Sequence, residues 1–446
     1  MPSLLITNAV VVNEGRRFEA DVLVTDGRIA AVGGDLQSRP ADRVIDAAGR
    51  LLLPGMIDDQ VHFREPGVTY KADIASESRA AVAGGITSFM EMPNCKPPTL
   101  DAEQLAAKYA RAAEVSRANY AFYLGASNDN IDAIRALPVG DACGVKVFMG
   151  ASTGNMLVDD PKVLEAIFQD CPVIIATHCE DTPMILAKEA DYRQRYGEDV
   201  PMDAHPLIRS EAACLKSSTL AVDLARRHDA RLHVLHLTTA RELALFTPGP
   251  IAGKRITVEA CVHHLYFDQR DYAEKGALIK CNPAIKRPED REALLGAVAE
   301  DRIDVIATDH APHTLEEKAG KYFQAPAGLP LVQDALPSLF GHVQAGKLTL
   351  EQVVHKTSHA PAACFNVQER GYIREGYWAD LVLVDPSKPV TRSREQVLYK
   401  CGWSAFEGRE LPATIAATIV SGEVAFEDGQ VNDGVRGQRL AFGPTR

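Results

Sequence analysis

Gln60 and His62 stand two residues apart at the end of an apolar segment, residues 51–57, and run straight into Phe63-Arg64-Glu65-Pro66-Gly67. Side chains two apart on a strand point the same way, so the pair can address one ion together. The imidazole of His62 is a natural transition-metal ligand, whereas the neutral amide of Gln60 binds such ions weakly. The segment therefore points to metal-assisted hydrolysis with one modified metal position. Further reactive side chains follow at wide spacing in or at the ends of apolar runs: Asn94, Lys146, His178, His236 and Asp309. Three histidines, a carboxylate and a lysine are the means of metal chemistry rather than of an acyl-enzyme. Lys146 is the only charge in Gly144-Val145-Lys146-Val147-Phe148-Met149. A bare ammonium inside a barrel is costly, and beside cations it is also repelled. Alone, such a lysine reads as one that snorkels to the rim. Among the other ligands it reads as a neutral amine that captures carbon dioxide and bridges two divalent ions as a carbamate.

These residues need a scaffold that brings them together. Strand patterns fall at residues 56–62, 86–92, 120–125, 144–149, 173–178, 232–236, 257–261 and 305–309, and helical stretches at 102–118, 207–228 and 288–300. Eight strands alternating with helices predict an α/β fold, a (β/α)8 TIM barrel over residues 54–365, whose strand ends converge on one mouth. An open doubly wound sheet would string the same residues along an edge. The chain ends read differently. Residues 4–12, 21–25 and 28–32 are short strands with a hairpin turn at Asp26-Gly27, and residues 379–384, 415–420 and 423–426 repeat that grammar with Ser421-Gly422 and Asp428-Gly429. Neither end has enough strands alone. Residues 1–53 and 366–446 are therefore expected to join into one small β-sandwich domain.

Bulk composition excludes several classes. Hydrophobic residues at 46% and charged residues at 24% are those of an ordinary globular protein. A net charge of −12 argues against a general nucleic-acid or anionic-membrane binder. Nine cysteines, an odd number with no CxxC pair, read as reduced thiols of a cytoplasmic enzyme. No apolar run reaches membrane-helix length, and the N-terminal residues lack signal-peptide character.

Taken in order, residues 58–67 (DDQVHFREPG), 84–94 (GGITSFMEMPN), Lys146, 178–181 (HCED), 235–238 (LHLT), 280–294 (KCNPAIKRPEDREAL) and 307–313 (ATDHAPH) resemble the dihydroorotases of the amidohydrolase superfamily over nearly the whole chain. The resemblance implies that His62, carbamylated Lys146 and Asp309 hold one zinc, and that Lys146, His178 and His236 hold a second. It makes Asp309 the proton shuttle as well. Arg64, Asn94 and His313 match positions that grip a free carboxylate of the substrate, and Asn282 and Gly328 fall in loops that line the pocket. It implies one or two Zn2+ per chain, a homodimer, and the interconversion of L-dihydroorotate and N-carbamoyl-L-aspartate in pyrimidine synthesis. The chemistry fits independently. Opening a cyclic amide at neutral pH needs an activated water, and a planar guanidinium such as Arg64 suits bidentate capture of a carboxylate.

Two other readings compete. One is a hydantoinase or allantoinase relative, which has less use for Arg64. The other is an inactive scaffold for a partner such as aspartate transcarbamoylase, suggested by Gln60 and opposed by the retained buried polar groups. Among the remaining histidines, His233 should face opposite to His236, His263 and His264 read as loop or supporting residues, and His310 should face away from the mouth. His205, His228, His342, His355 and His359 read as surface or helix-end residues, and Glu65 and Glu180 as residues without a required chemical role.

Overall fold

The apolar runs pair as parallel strands in chain order, as happens when each strand is followed by a return crossover. The computed structural model describes residues 2–151 and 156–444. Its barrel strands are Met56–Val61, Ile86–Glu91, Asn119–Phe122 continued by Leu124–Gly125, Val145–Phe148, Ile175–His178, Leu232–Val234, Ile256–Cys261 and Val305–Ala307. Successive strands pair in parallel through the eighth. The ring is closed by the first strand's end, where the His62 N–H donates to the His310 carbonyl at 2.7 Å and Val61 bridges His310 in parallel. The fold is an α/β TIM barrel with a β-rich unit built from the chain ends.

The strands stop short of several ligand positions. The sixth ends at Val234 and the eighth at Ala307, whereas the sequence pattern runs to His236 and Asp309. Both of those residues take left-handed backbone conformations, with φ of 41° and 51°. Non-glycine residues seldom sit there, and doing so breaks the pairing ladder. The helical stretch expected at 207–228 is also interrupted. His205–Ile208 ends before Ser210, whose side chain accepts from the Ala213 N–H and caps a new helix, Glu211–His228.

At the chain ends, Leu4–Asn13, Arg16–Thr25, Arg28–Gly33, Arg43–Asp46 and Leu51–Pro54 share one nine-stranded sheet with Leu381–Asp385, Thr414–Val420, Glu423–Glu427 and Gln430–Val431. The seam is Leu51–Pro54 running antiparallel to Leu381–Asp385. Asp26 and Gly27 both have positive φ, as the tight hairpin requires. This sheet has a core of its own, including Ile6, Val22, Leu52, Leu381 and Ile419. Residues between its later strands leave it to cover the barrel: the Trp403 indole N–H donates to the His313 carbonyl at 2.7 Å, and Tyr399 donates to Asp334 at 3.0 Å. Among the described residues, no helix is long and apolar enough to cross a membrane.

Candidate active site and metal centre

The strand ends surround a cavity of about 160 Å³. It is smaller than the roughly 300–1,000 Å³ of sites for drug-sized ligands, so it suits a small ring rather than a polymer. Gln60, His62, Arg64, Asn94, Lys146, His178, His236, Asn282, Asp309, His313 and Gly328 all line it. Phe148, Ala151, Ala311 and Ala327 complete the wall and were not anticipated.

One side of the cavity is built on imidazoles. His178 Nδ1 and His236 Nε2 lie 2.9 Å apart, and His178 Nε2 lies 2.8 Å from Glu180 Oε2. Glu180 therefore has a job after all, because its carboxylate fixes the His178 ring and leaves Nδ1 as the inward nitrogen. Burial opposes ionisation of Glu180, but Arg209 and His178 outweigh it and hold the carboxyl down at about 2. Beneath them, Glu259 accepts the His236 backbone N–H at 2.9 Å and steadies its left-handed turn. His233 Nε2 sits 3.1 Å from Asp59 of the first strand, across the barrel interior, and 3.4 Å from Glu259 of the neighbouring seventh strand. His233 thus faces the same interior as His236, contrary to strict alternation, because the strand has already ended at Val234. Charged residues inside the apolar runs, Asp59 and Glu259, were the overlooked sequence signal for this layer.

The other side is built on Asp309. His62 Nε2 and Gln60 Nε2 both approach Asp309 Oδ1 at 3.1 Å. His62 Nδ1 lies 2.7 Å from Asn94 Oδ1 and therefore carries the ring proton. That leaves the Nε2 lone pair facing a carboxylate oxygen, two acceptors that only a proton or cation between them reconciles. Asp58 ties this side together by accepting from Thr308 Oγ1 at 2.6 Å and from the Thr308 and Gln60 N–H groups.

Lys146 stands between the two sides. Its Nζ is fully buried and has no hydrogen-bond partner among the described residues. Burial lowers the amine to about 8, with Asp309 and Glu259 resisting the shift. It does not snorkel. A partnerless amine whose proton is loosened by burial, set among imidazoles and a carboxylate, fits a divalent metal such as zinc. His178 and His236 would hold it on one side, His62 and Asp309 on the other, with Lys146 addressing both after carbamate formation. Gln60 would offer the second position only a neutral amide oxygen, a weak ligand for such an ion.

Above the metal ligands, Arg64 lies across the mouth with φ of 67°. Its Nε donates to the Pro312 carbonyl at 3.2 Å. His313 accepts from Lys71 Nζ at Nδ1, 2.9 Å, and donates from Nε2 to the Ala327 carbonyl at 3.0 Å. With that tautomer Nε2 offers Arg64 Nη2, 3.1 Å away, no acceptor. Burial and the neighbouring Arg64, Lys71 and Lys318 cations keep His313 neutral, far below the usual histidine range. The loop carrying Gly328 is held by Lys318, whose Nζ donates to the Lys280, Pro326 and Gly328 carbonyls at 3.2, 2.9 and 2.8 Å. Gly328 has φ of 132°, and a Cβ there would meet the Ala311 carbonyl at 2.4 Å. Asn282 Oδ1 is buried without a partner at the cavity wall.

The other histidines divide. His310 points out of the barrel to Glu77, 2.8 Å away. His205, expected at the surface, is buried between Tyr322 and the Cys281 carbonyl at 2.9 and 2.8 Å. His359 is also buried: it accepts the Glu14 N–H and donates to the Gly371 carbonyl, joining the end sheet to the barrel. Both have tertiary partners far away in sequence. His228, His342 and His355 are partly buried. Glu65 accepts the Ile74 N–H at 2.9 Å and supports a helix start.

Residues 51–425 match the amidohydrolase family. An allantoinase of Bacillus velezensis is 32% identical over 99% of this chain and 96% of its own length. A dihydroorotase of Halobacterium salinarum is 34% identical over 92% of this chain and 94% of its own. An L-hydantoinase (dihydropyrimidinase) from Arthrobacter aurescens superimposes with a TM-score of 0.93 at 27% identity, covering 99% of this chain and all of that one. By sequence and by barrel alike, this chain belongs to the amidohydrolase family.

Proposed function

We propose that this cyclic amidohydrolase is a metal-dependent dihydroorotase, interconverting L-dihydroorotate and N-carbamoyl-L-aspartate. The observation that carries this reading is Arg64, a half-buried guanidinium at the cavity with no carboxylate partner among the described residues. A guanidinium without a paired acid is suited to receive one from the substrate, and its planar edge binds a carboxylate bidentately. Asn94 and Asn282 supply neutral polar groups at the same wall.

The chain's own groups divide the remaining work. The Lys146 amine adds to carbon dioxide, forming an N–C bond and releasing a proton, and the carbamate oxygens become anionic ligands. Zinc held by this set would supply hydroxide near neutral pH and polarise the scissile carbonyl. Asp309 receives both neighbouring contacts on Oδ1. Its Oδ2 therefore takes the proton of the attacking water and returns it to the leaving ring nitrogen. An inactive scaffold would have no use for a buried, unpartnered Lys146 Nζ.

A second reading, hydrolysis of hydantoin- or allantoin-like rings, is supported by relatives named allantoinase that match as well as those named dihydroorotase. Rates on dihydroorotate, allantoin, hydantoin and dihydrouracil separate the two. A charge-assisted bond of about 1.5–3 kcal/mol predicts a preference of at least tenfold for the acid-bearing ring. A higher kcat/KM on a neutral ring would replace the first reading with the second.

A further inference from the structure

Behind Gln60 lies a second group of ligand-bearing side chains that ring opening does not use. Cys261 ends the seventh strand and the short helix Val262–Tyr266 begins at the next residue, so Cys261, His263 and His264 are wound into one turn. All three are buried, and their ligand atoms lie within 4.8 Å of one another. None of them lines the cavity, but Cys261 Sγ is 3.7 Å from Gln60 Oε1.

Three of the four ring nitrogens of this turn have no hydrogen-bond partner among the described residues. Among the described residues neither ring nitrogen of His263 meets hydrogen-bond geometry, and its ring centre lies 3.9 Å from that of His264. His264 Nε2 donates to the Pro283 carbonyl at 3.0 Å, so Nδ1 carries the lone pair, and Nδ1 is unpartnered as well. Burial keeps both imidazoles neutral, pushing His263 down to about 4 and His264 well below the usual histidine range. Buried polar atoms are almost always satisfied, and three orphans in one turn call for a shared partner. Two neutral imidazoles beside a thiol form a donor set for a borderline-soft divalent cation.

We propose that Cys261, His263 and His264 bind a zinc-class divalent cation in a site of their own, separate from the ligands of the catalytic cavity. Binding forms the metal–sulfur bond and releases the thiol proton to solvent, Cys–SH + M2+ → Cys–S–M+ + H+. Water or the nearby Gln60 amide oxygen takes the remaining position. An ion there gives Gln60 a purpose beyond that of a poor cavity ligand, because it holds the amide whose Nε2 donates to Asp309. The site stands whether or not the cavity acts on dihydroorotate.

Cobalt(II) titration of the metal-free full chain tests the proposal without an activity readout. The wild type should show a near-ultraviolet thiolate-to-cobalt charge-transfer band whose final intensity corresponds to one thiolate ligand per chain. Cavity ligands are nitrogen and oxygen donors and give no such band. The band should vanish in Cys261→Ser and persist in His178→Ala. Should Cys261→Ser fail to fold by circular dichroism, His264→Gln replaces it and should lose one bound cobalt per chain. A saturated wild type with no thiolate band would overturn the proposal and leave water as the partner of these nitrogens. So would a band that survives Cys261→Ser, or one that disappears in His178→Ala.

Discussion

The two sides of the cavity solve the same problem with different means. On one side His178 and His236 converge at 2.9 Å, and each is fixed from behind by a buried acid, Glu180 on the ring and Glu259 on the backbone. On the other side a single imidazole, His62, stands with Asp309, and beside it is Gln60, whose amide already donates to Asp309. An imidazole lone pair binds zinc far better than an amide oxygen does. The difference teaches that metal affinity should be unequal across the cavity, with Lys146 the only element common to both sides.

The largest expected effect is therefore that of Lys146→Ala, which strips both sides at once. Activity should fall by more than the roughly 10–100-fold typical of outer-shell changes, metal content should fall with it, and short carboxylic acids should restore part of both. Near-normal turnover with full metal would break the idea of a shared bridge. The same amine sets a pH dependence. Below about 8 it is protonated and has no lone pair for carbon dioxide, so carbamate-dependent reactivation of the stripped protein should accelerate as pH rises through 8. A flat profile would contradict it.

Next in size, Arg64→Ala should lower kcat/KM on dihydroorotate at least about tenfold while metal content stays normal and rates on neutral rings barely change. Equal losses on all rings would show that Arg64 serves the scaffold, not the acid. Glu180→Gln acts only on the imidazole side. It keeps an acceptor for His178 but removes the charge held by Arg209, and should weaken the tighter metal about 10–100-fold while sparing the weaker one. The smallest change is expected of Gln60→His, a few-fold gain in occupancy at the weaker position by metal titration. Two equally tight cavity metals in the unmodified chain would erase the asymmetry on which the comparison rests.

How much of this was visible beforehand depends on the kind of residue. The barrel was legible because apolar runs bounded by helices at regular intervals leave few topologies, and ligand-type residues closing those runs point to one mouth. The supporting acids were less legible. Glu180 is hard to read from the sequence because the cation that holds its charge, Arg209, is brought to it by the short helix His205–Ile208 and the turn after it. His205 and His359 looked exposed because their partners lie 117 and 345 residues away in sequence. His233 was assigned to the wrong side because alternation assumes that a strand continues, and this one ends at Val234.

The sequence by itself determined the alternating barrel, the hairpins of the chain ends, and the placement of imidazole, carboxylate, amine and guanidinium groups at strand ends. These follow from local patterns of two and 3.6 residues and from side-chain chemistry. Only the tertiary structure decided that Lys146 is orphaned instead of reaching solvent, which tautomer His313 adopts, and that His236 and Asp309 leave their strands by left-handed turns. Those outcomes depend on which donors and acceptors face one another after the strands close into a ring, and that proximity is set by the packing of residues distant in the chain.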